Sequence, residues 1–272
     1  MLRGLIKKGL LITASFLFFG FFTSSKSDLS IFLTKSRIKK GGNAYLIFHF
    51  KIKDGWHIYW KDPGQRGLPT TVQMQEIEGI KYGKLLFPVP DILRLSDGSY
   101  SYVHKGDVYL FLPIIVSEKF NGNSADIVGV LRWAECSDTL CVPHKKEFSV
   151  KVSIGKSEAK EAGSSRRIDS SVYKRFPIDY RAKGSPAVVK YRLEREKGVL
   201  VLDVEWATNP FELECFIADG DGVQIEQVKK ESISSGARVV FSVKKSKKGE
   251  AEAEIVLKNR LGTRAVLVPL HL

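Results

Sequence analysis

The sequence of 272 residues predicts an all-β protein, a two-sheet sandwich followed by a second, smaller β-sandwich-like domain. Three observations predict it. Short apolar runs that alternate with polar residues recur along most of the chain, and breaks bearing Gly and Pro separate them. No long stretch shows the 3.6-residue period of an amphipathic helix. A hydrophobic fraction of 43% beside 27% charged residues suits a chain that buries a core in each domain, which excludes wholesale disorder.

At the amino terminus, Arg3, Lys7 and Lys8 precede an apolar run from Gly9 to Phe22, followed by Thr23, Ser24 and Ser25. A positive n-region, an apolar stretch short for a bilayer span and small residues at its end predict a signal peptide over residues 1–25. No Ala-x-Ala site is present, so an uncleaved anchor is the competing reading. Both readings export the rest of the chain.

A first domain is expected over 28–154. Ala44–Lys53 alternates cleanly and ends on the turn signal Asp54-Gly55. Trp56–Trp60, Thr70–Gln75, Val108–Val116, Ile127–Ala134 and Glu147–Ile154 read as further strands. Residues 155–185 are rich in Lys, Arg, Ser and Glu and read as a linker with room for a short helix. A second β domain is expected over 186–272, with strands at Val188–Arg195, Val199–Trp206, Leu213–Ala218, Arg238–Val243, Ala253–Leu257 and Ala265–Leu270. Its Lys244, Lys245, Lys247 and Lys248 read as a solvated hairpin turn. The formal charge of +13 comes with no nucleic-acid-binding motif, so no nucleic-acid partner is expected.

Chemistry is concentrated in three segments. Cys136 and Cys141, in Trp133-Ala134-Glu135-Cys136-Ser137-Asp138-Thr139-Leu140-Cys141-Val142-Pro143, have four residues between them. A loop of that length can bring two cysteines within disulfide reach. Cys-x-x-Cys activation at a helix start does not apply, and His144 alone does not complete a zinc site. A staple across so short a loop removes little unfolded-chain entropy, which leaves a redox pair and a structural disulfide both open. In the second segment, Asp54–Thr70, alternation puts Trp56, Ile58 and Trp60 on one face and His57 and Tyr59 on the other. The third, Ser99–Asp107, reads as a polar, aromatic-bearing exposed connection. Cys215 lies on the alternating face of Leu213 and Ile217 and reads as a buried inert thiol. His104 and His144 read as surface residues near turns.

In this order, DGWHIYWKDPGQRGLPT, YSYVHKGDVYLFLP and WAECSDTLCVP resemble the amino-terminal periplasmic domain of the thiol:disulfide interchange protein DsbD and its relative ScsB, over about residues 31–154. The resemblance implies an immunoglobulin-like β-sandwich in the periplasm with Cys136 and Cys141 as the redox pair. It implies that Cys141 forms the mixed disulfide and Cys136 resolves it. Tyr100 and Tyr102 fall in the family's cap loop, and His57 and Tyr59 on the strand beside the pair, which makes these four the expected shield. The implied partners are thioredoxin-like periplasmic proteins and a membrane-embedded thiol reductant, with no cofactor and no metal. The family's cap-loop phenylalanine has no clear counterpart, and the sequence holds no match to its membrane and thioredoxin-like domains. The competing reading is a non-catalytic binding module with a structural disulfide.

Overall fold

In the computed structural model, described for residues 25–157, 168–206, 213–220, 222–246, 250–260 and 264–272, the chain forms two β-sandwiches. The expected signal segment before residue 25 lies outside the described residues, as do Lys247, Lys248 and Gly249.

The first sandwich holds β1 (Ser27–Leu33), β2 (Arg37–Lys39), β3 (Asn43–Ile52), β4 (His57–Gly64), β5 (Thr71–Met74) and β6 (Ile80–Tyr82). It continues with β7 (Asp91–Arg94), β8 (Tyr100–His104), β9 (Asp107–Val116), β10 (Ser124–Cys136) and β11 (Cys141–Gly155). One sheet has the order β1-β3-β9-β6, and the facing sheet β2-β11-β10-β4-β8-β7, with β5 also paired to β10. After α1 (Ser170–Lys174) and β12 (Ile178–Asp179) come β13 (Ala187–Glu194), β14 (Val199–Trp206), β15 (Leu213–Ala218), β16 (Val223–Ile233), β17 (Gly236–Lys245), β18 (Glu252–Asn259) and β19 (Val266–His271). They build the second sandwich from sheets β12-β19-β18-β15 and β13-β14-β17-β16.

Period-two alternation fills the first core. Leu46, Phe48 and Phe50 of β3 face Ile127, Leu131 and Trp133 of β10 and Ile58 and Trp60 of β4, all buried. Ile47, on the other face of β3, is also buried, because α1 lies over it. Ile47, Phe32, Phe111 and Val172 form a separate cluster, and Phe176 stacks on Phe111 at 4.6 Å. The carboxyl-terminal part of the stretch expected to be linker is therefore packed structure. Asp169 caps α1 by accepting the Ser171 N–H, and β12 pairs in parallel with β19.

The third motif segment differs from its reading as an exposed connection. Tyr100–His104 is the strand β8, paired on both sides, with Tyr102, Val103 and His104 buried. Burial follows from its position between β4 and β7, and from the second sandwich, which covers the end of this sheet. Strand β15 is apolar on both faces. Leu213 and Ile217 enter their own core, whereas Phe216 and Ala218 join the core of the first sandwich. Phe216 has no exposed surface and meets Tyr102 edge-on at 5.3 Å. Around this contact Lys61 pairs with Glu254, Lys84 with Glu252, and the Asp219 N–H donates to the Asp62 carboxylate at 2.9 Å.

Two predictions follow from this packing. Phe216→Ala removes a fully buried ring at the junction and is expected to cost about 3–5 kcal/mol in denaturant unfolding; a loss under about 1 kcal/mol would mean that the two sandwiches do not share a core. His104 is buried against Phe87, and burial together with the positive charge of Arg175 pushes its pKa down to about 3. The folded state thus keeps His104 neutral where the unfolded chain takes up a proton. Stability is complete above about pH 6.5 and is lost as pH falls toward 3, by up to about 1.4 kcal/mol per pH unit. Urea unfolding of His104→Gln at several pH values is expected to show a flatter acid limb than the parent; an identical limb would assign the proton uptake to other groups.

Candidate functional site: a cross-strand cysteine pair

The pair is built by the tip of the β10–β11 hairpin. Cys136 and Cys141 are directly opposed, with Cα atoms 4.1 Å apart, and are joined as a disulfide. The Ser137 N–H donates to the Leu140 carbonyl at 2.8 Å, so the four-residue loop 137–140 closes just beyond the cysteines. This makes 136/141 a non-hydrogen-bonded pair, the position where antiparallel strands come closest.

Alternation along β10 sends Ile127, Leu131, Trp133 and Glu135 toward the core, and Ala134 and Cys136 to the outer face of the sheet. On that outer face Cys136 forms a small cluster with Tyr59, Val103 and Ala134, with Leu93 at its margin. Cys136 is 1% exposed, whereas Cys141 is exposed. The Tyr59 hydroxyl lies 3.8 Å from Cys141 Sγ. His57, opposite Cys136 on β4, meets the Tyr59 ring edge-on at 5.3 Å. Burial, and then the charge of Lys105, lower the His57 pKa, against a weaker raising effect of Asp138. The imidazole is therefore neutral at neutral pH. Burial raises the Tyr59 pKa, so its hydroxyl keeps its proton.

Tyr59 is covered by the loop between β4 and β5. Gly67 has φ +117°, and a Cβ on it would lie 2.2 Å from the Tyr59 ring. A side chain is excluded there on both counts. Ser101 Oγ donates to the Arg66 carbonyl at 2.8 Å, and Arg66 pairs with Asp97 at 2.5 Å, so this loop is tied to the β7–β8 hairpin.

Of the six residues expected at the site, the structure brings four together: Cys136, Cys141, His57 and Tyr59. Tyr100 and Tyr102 go elsewhere. They share the parity of His104, which faces inward opposite Ile58, and Tyr102 packs on Trp60 and Phe216. Val103, of the opposite parity, takes the place against Cys136. The expected surface histidines are also displaced: His104 is buried, and His144 stacks on Trp133 at 5.0 Å with Nε2 3.1 Å from Glu135. Cys215 is half-buried, and burial pushes its thiol up to about 12, so it stays protonated.

Sequence reasoning missed Glu135. This fully buried carboxylate accepts from Ser27 Oγ, from Ser25 Oγ at 2.9 Å, from the Lys26 N–H at 2.6 Å and from Trp133 Nε1 at 3.1 Å. Burial pushes its pKa up, and the four hydrogen bonds more than offset this and hold it below the usual carboxylate value. Its parity with Trp133 was the available signal, since a charged residue in register with a core face has to be paired.

The site is thus a disulfide-bonded cysteine pair on the outer face of the larger sheet of an immunoglobulin-like β-sandwich. Residues 31–153, nearly the whole first sandwich, match the family model for the thiol:disulfide interchange protein DsbD, N-terminal, which bears out the resemblance carried by the three motifs. No curated protein sequence matches the chain. Among solved structures, the N-terminal periplasmic domain of ScsB from Proteus mirabilis is 14% identical, with a TM-score of 0.59, over 91% of this chain and 94% of that one. The likeness shows a shared fold, and it extends over both sandwiches. The DsbD N-terminal domain of Neisseria meningitidis in its reduced form is 15% identical with a TM-score of 0.31, over 45% of this chain and 88% of that one. Among the described residues, no helix is long and apolar enough to cross a membrane.

The cover over the pair is testable. Gly67→Ala is expected to displace Tyr59, to cost about 1–3 kcal/mol and to raise the rate at which a small thiol reduces the disulfide. Unchanged stability and an unchanged reduction rate would show that this loop does not shield it.

Proposed function

We propose that the chain is a periplasmic thiol–disulfide exchange module working through Cys136 and Cys141. The observation that carries the reading is the unequal exposure of the two cysteines, since Cys141 is exposed and Cys136 is buried. Exchange requires in-line access to one sulfur, while the other stays within reach to resolve.

In the reduced protein, the Cys141 thiolate attacks one sulfur of a partner disulfide, and the partner's other sulfur leaves as a thiolate. The Cys136 thiolate then attacks Cys141 Sγ and expels the second partner thiolate. Two electrons pass from the pair to the partner, and the 136–141 disulfide forms again. A dithiol donor reverses the sequence to recharge it. The match to the DsbD family supports a thioredoxin-like protein as acceptor, a membrane-embedded thiol reductant as donor and a periplasmic site of action. In this role His57, Tyr59 and Val103 shield the pair. The first sandwich, 28–154, serves as the exchange module, and the second, which β12 extends ahead of the expected 186–272, buttresses it.

Thiol trapping in graded redox buffers is expected to give a potential between about −270 and −180 mV, the range of thioredoxin and protein disulfide isomerase. Cys136→Ser is expected to trap a mixed disulfide with a thioredoxin-like substrate, and Cys141→Ser to abolish exchange. A potential below about −300 mV, with thiols inaccessible in the native protein, would make the pair a structural staple. Full exchange by Cys141→Ser would remove the assignment of the attacking sulfur.

A further inference from the structure

We propose that the junction of the two sandwiches holds a binding site for a small multivalent oxyanion, of the organic phosphate or polycarboxylate class. The site is a cleft of about 550 Å³ between the end of β8, the end of α1 and the β18–β19 side of the second sandwich. That volume is within the range of small-ligand pockets, roughly 300–1,000 Å³.

Its lining is strongly one-signed. Among the described residues, Lys105, Lys174, Arg175, Lys258 and Arg264 converge on it, against the carboxylate of Asp91. The cations come from both sandwiches and from the segment joining them, so the fold assembles them from three separate parts of the chain. The two guanidinium groups are held by neutral carbonyls: Arg175 donates to that of Asp107 at 2.6 Å, and Arg264 to those of Phe176 and Tyr173 at 3.3 and 3.4 Å. Such bonds fix the side chains in place without neutralising them. Like charges gathered in a concave site repel one another and focus a positive potential that an anion would relieve.

A second observation points to a ligand independently. His104 also lines the cleft, and its Nε2 is buried with no hydrogen-bond partner among the described residues. A buried polar group left without a partner is unfavourable, and a ligand that accepts from it removes that cost. A neutral imidazole can donate Nε2–H to an oxyanion while the surrounding lysines and arginines neutralise its charge, as guanidinium groups do for carboxylates and phosphates. A recessed cleft with a buried imidazole in its lining suits a small anion better than the broad surface of an acidic protein. The site uses neither cysteine and does not rest on the exchange reading.

Isothermal titration of the purified chain with pyrophosphate and with citrate, at ionic strength matched with sodium chloride, tests this. Saturable one-to-one binding of at least one probe is expected. It should weaken at least about tenfold in Lys258→Glu/Arg264→Glu. It should be unchanged in Lys190→Glu/Lys197→Glu, which reverses two exposed charges away from the cleft, and in the variant lacking Cys136 and Cys141. In the unmodified chain, the imidazole resonances of His104 should shift as the site fills, which keeps the test open should the charge variant fail to fold. Non-saturable binding, equal weakening in both charge variants, or unmoved His104 resonances at saturation would overturn the proposal. So would binding of a polyglutamate peptide in the absence of binding by either small anion, which would make the cleft a docking point for an acidic protein.

Discussion

The antiparallel register of β10 and β11, unbroken from Ser124 opposite Ser153 to Cys136 opposite Cys141, is the constraint on which the site depends. It decides parity. Trp133 and Glu135 point inward, and Ala134 and Cys136 outward, with a partner residue opposite each. A slip of one residue would carry Cys136 into the core and leave Glu135 unpaired on the outer face. Glu135 locks the register, because its buried carboxylate is satisfied only where Ser25, Lys26, Ser27 and Trp133 all reach it. Removing those partners would strand a buried charge, a far larger cost than any one of the bonds contributes.

The second sandwich is part of the same mechanical unit. The seven-stranded sheet extends through β4 and β8 to β7, and the inner face at this end is closed by Phe216 and Ala218 of β15. A strand with apolar residues on both faces cannot stand at the edge of an independent domain without exposing one of them. Tyr102, Trp60 and Phe216 meet at this junction, on the inner face of the strands whose outer face carries His57, Tyr59 and Val103.

Alternation made much of this legible in the sequence. Val199–Trp206 and Leu213–Ala218 coincide with β14 and β15, and the split of Ile58 and Trp60 from His57 and Tyr59 is the one observed. Strand β8 was not legible, because its tyrosines, serine and histidine look like a loop until a neighbouring domain buries them. Strand β16 was hidden by the lysines and glutamates of a solvent-facing edge, and the first half of β11 by the run Lys145, Lys146, Glu147. At the site, spacing put the two cysteines within disulfide reach and parity put His57 and Tyr59 on one face of their strand, while their place beside the pair came from the resemblance. The positions of Tyr100 and Tyr102 could not, since a resemblance transfers a loop's place in the chain but not the parity of the strand it becomes. Gly67 was unreadable for a related reason, as the demand for glycine arises only where the loop crosses the Tyr59 ring.

On the exchange reading, the electrostatics of the site set the order of events. His57 is neutral, so it lends no positive charge to a thiolate, and the structure has none of the helix-start stabilisation of a Cys-x-x-Cys site. Discrimination between the two cysteines then rests on access. Cys136 lies buried among Tyr59, Val103 and Ala134, whereas Cys141 is exposed, with the Tyr59 hydroxyl beside its sulfur. On that reading Cys141 is the residue that a partner disulfide can reach. Cys136 acts after the mixed disulfide has formed, when its attack on Cys141 Sγ is intramolecular and favoured by proximity.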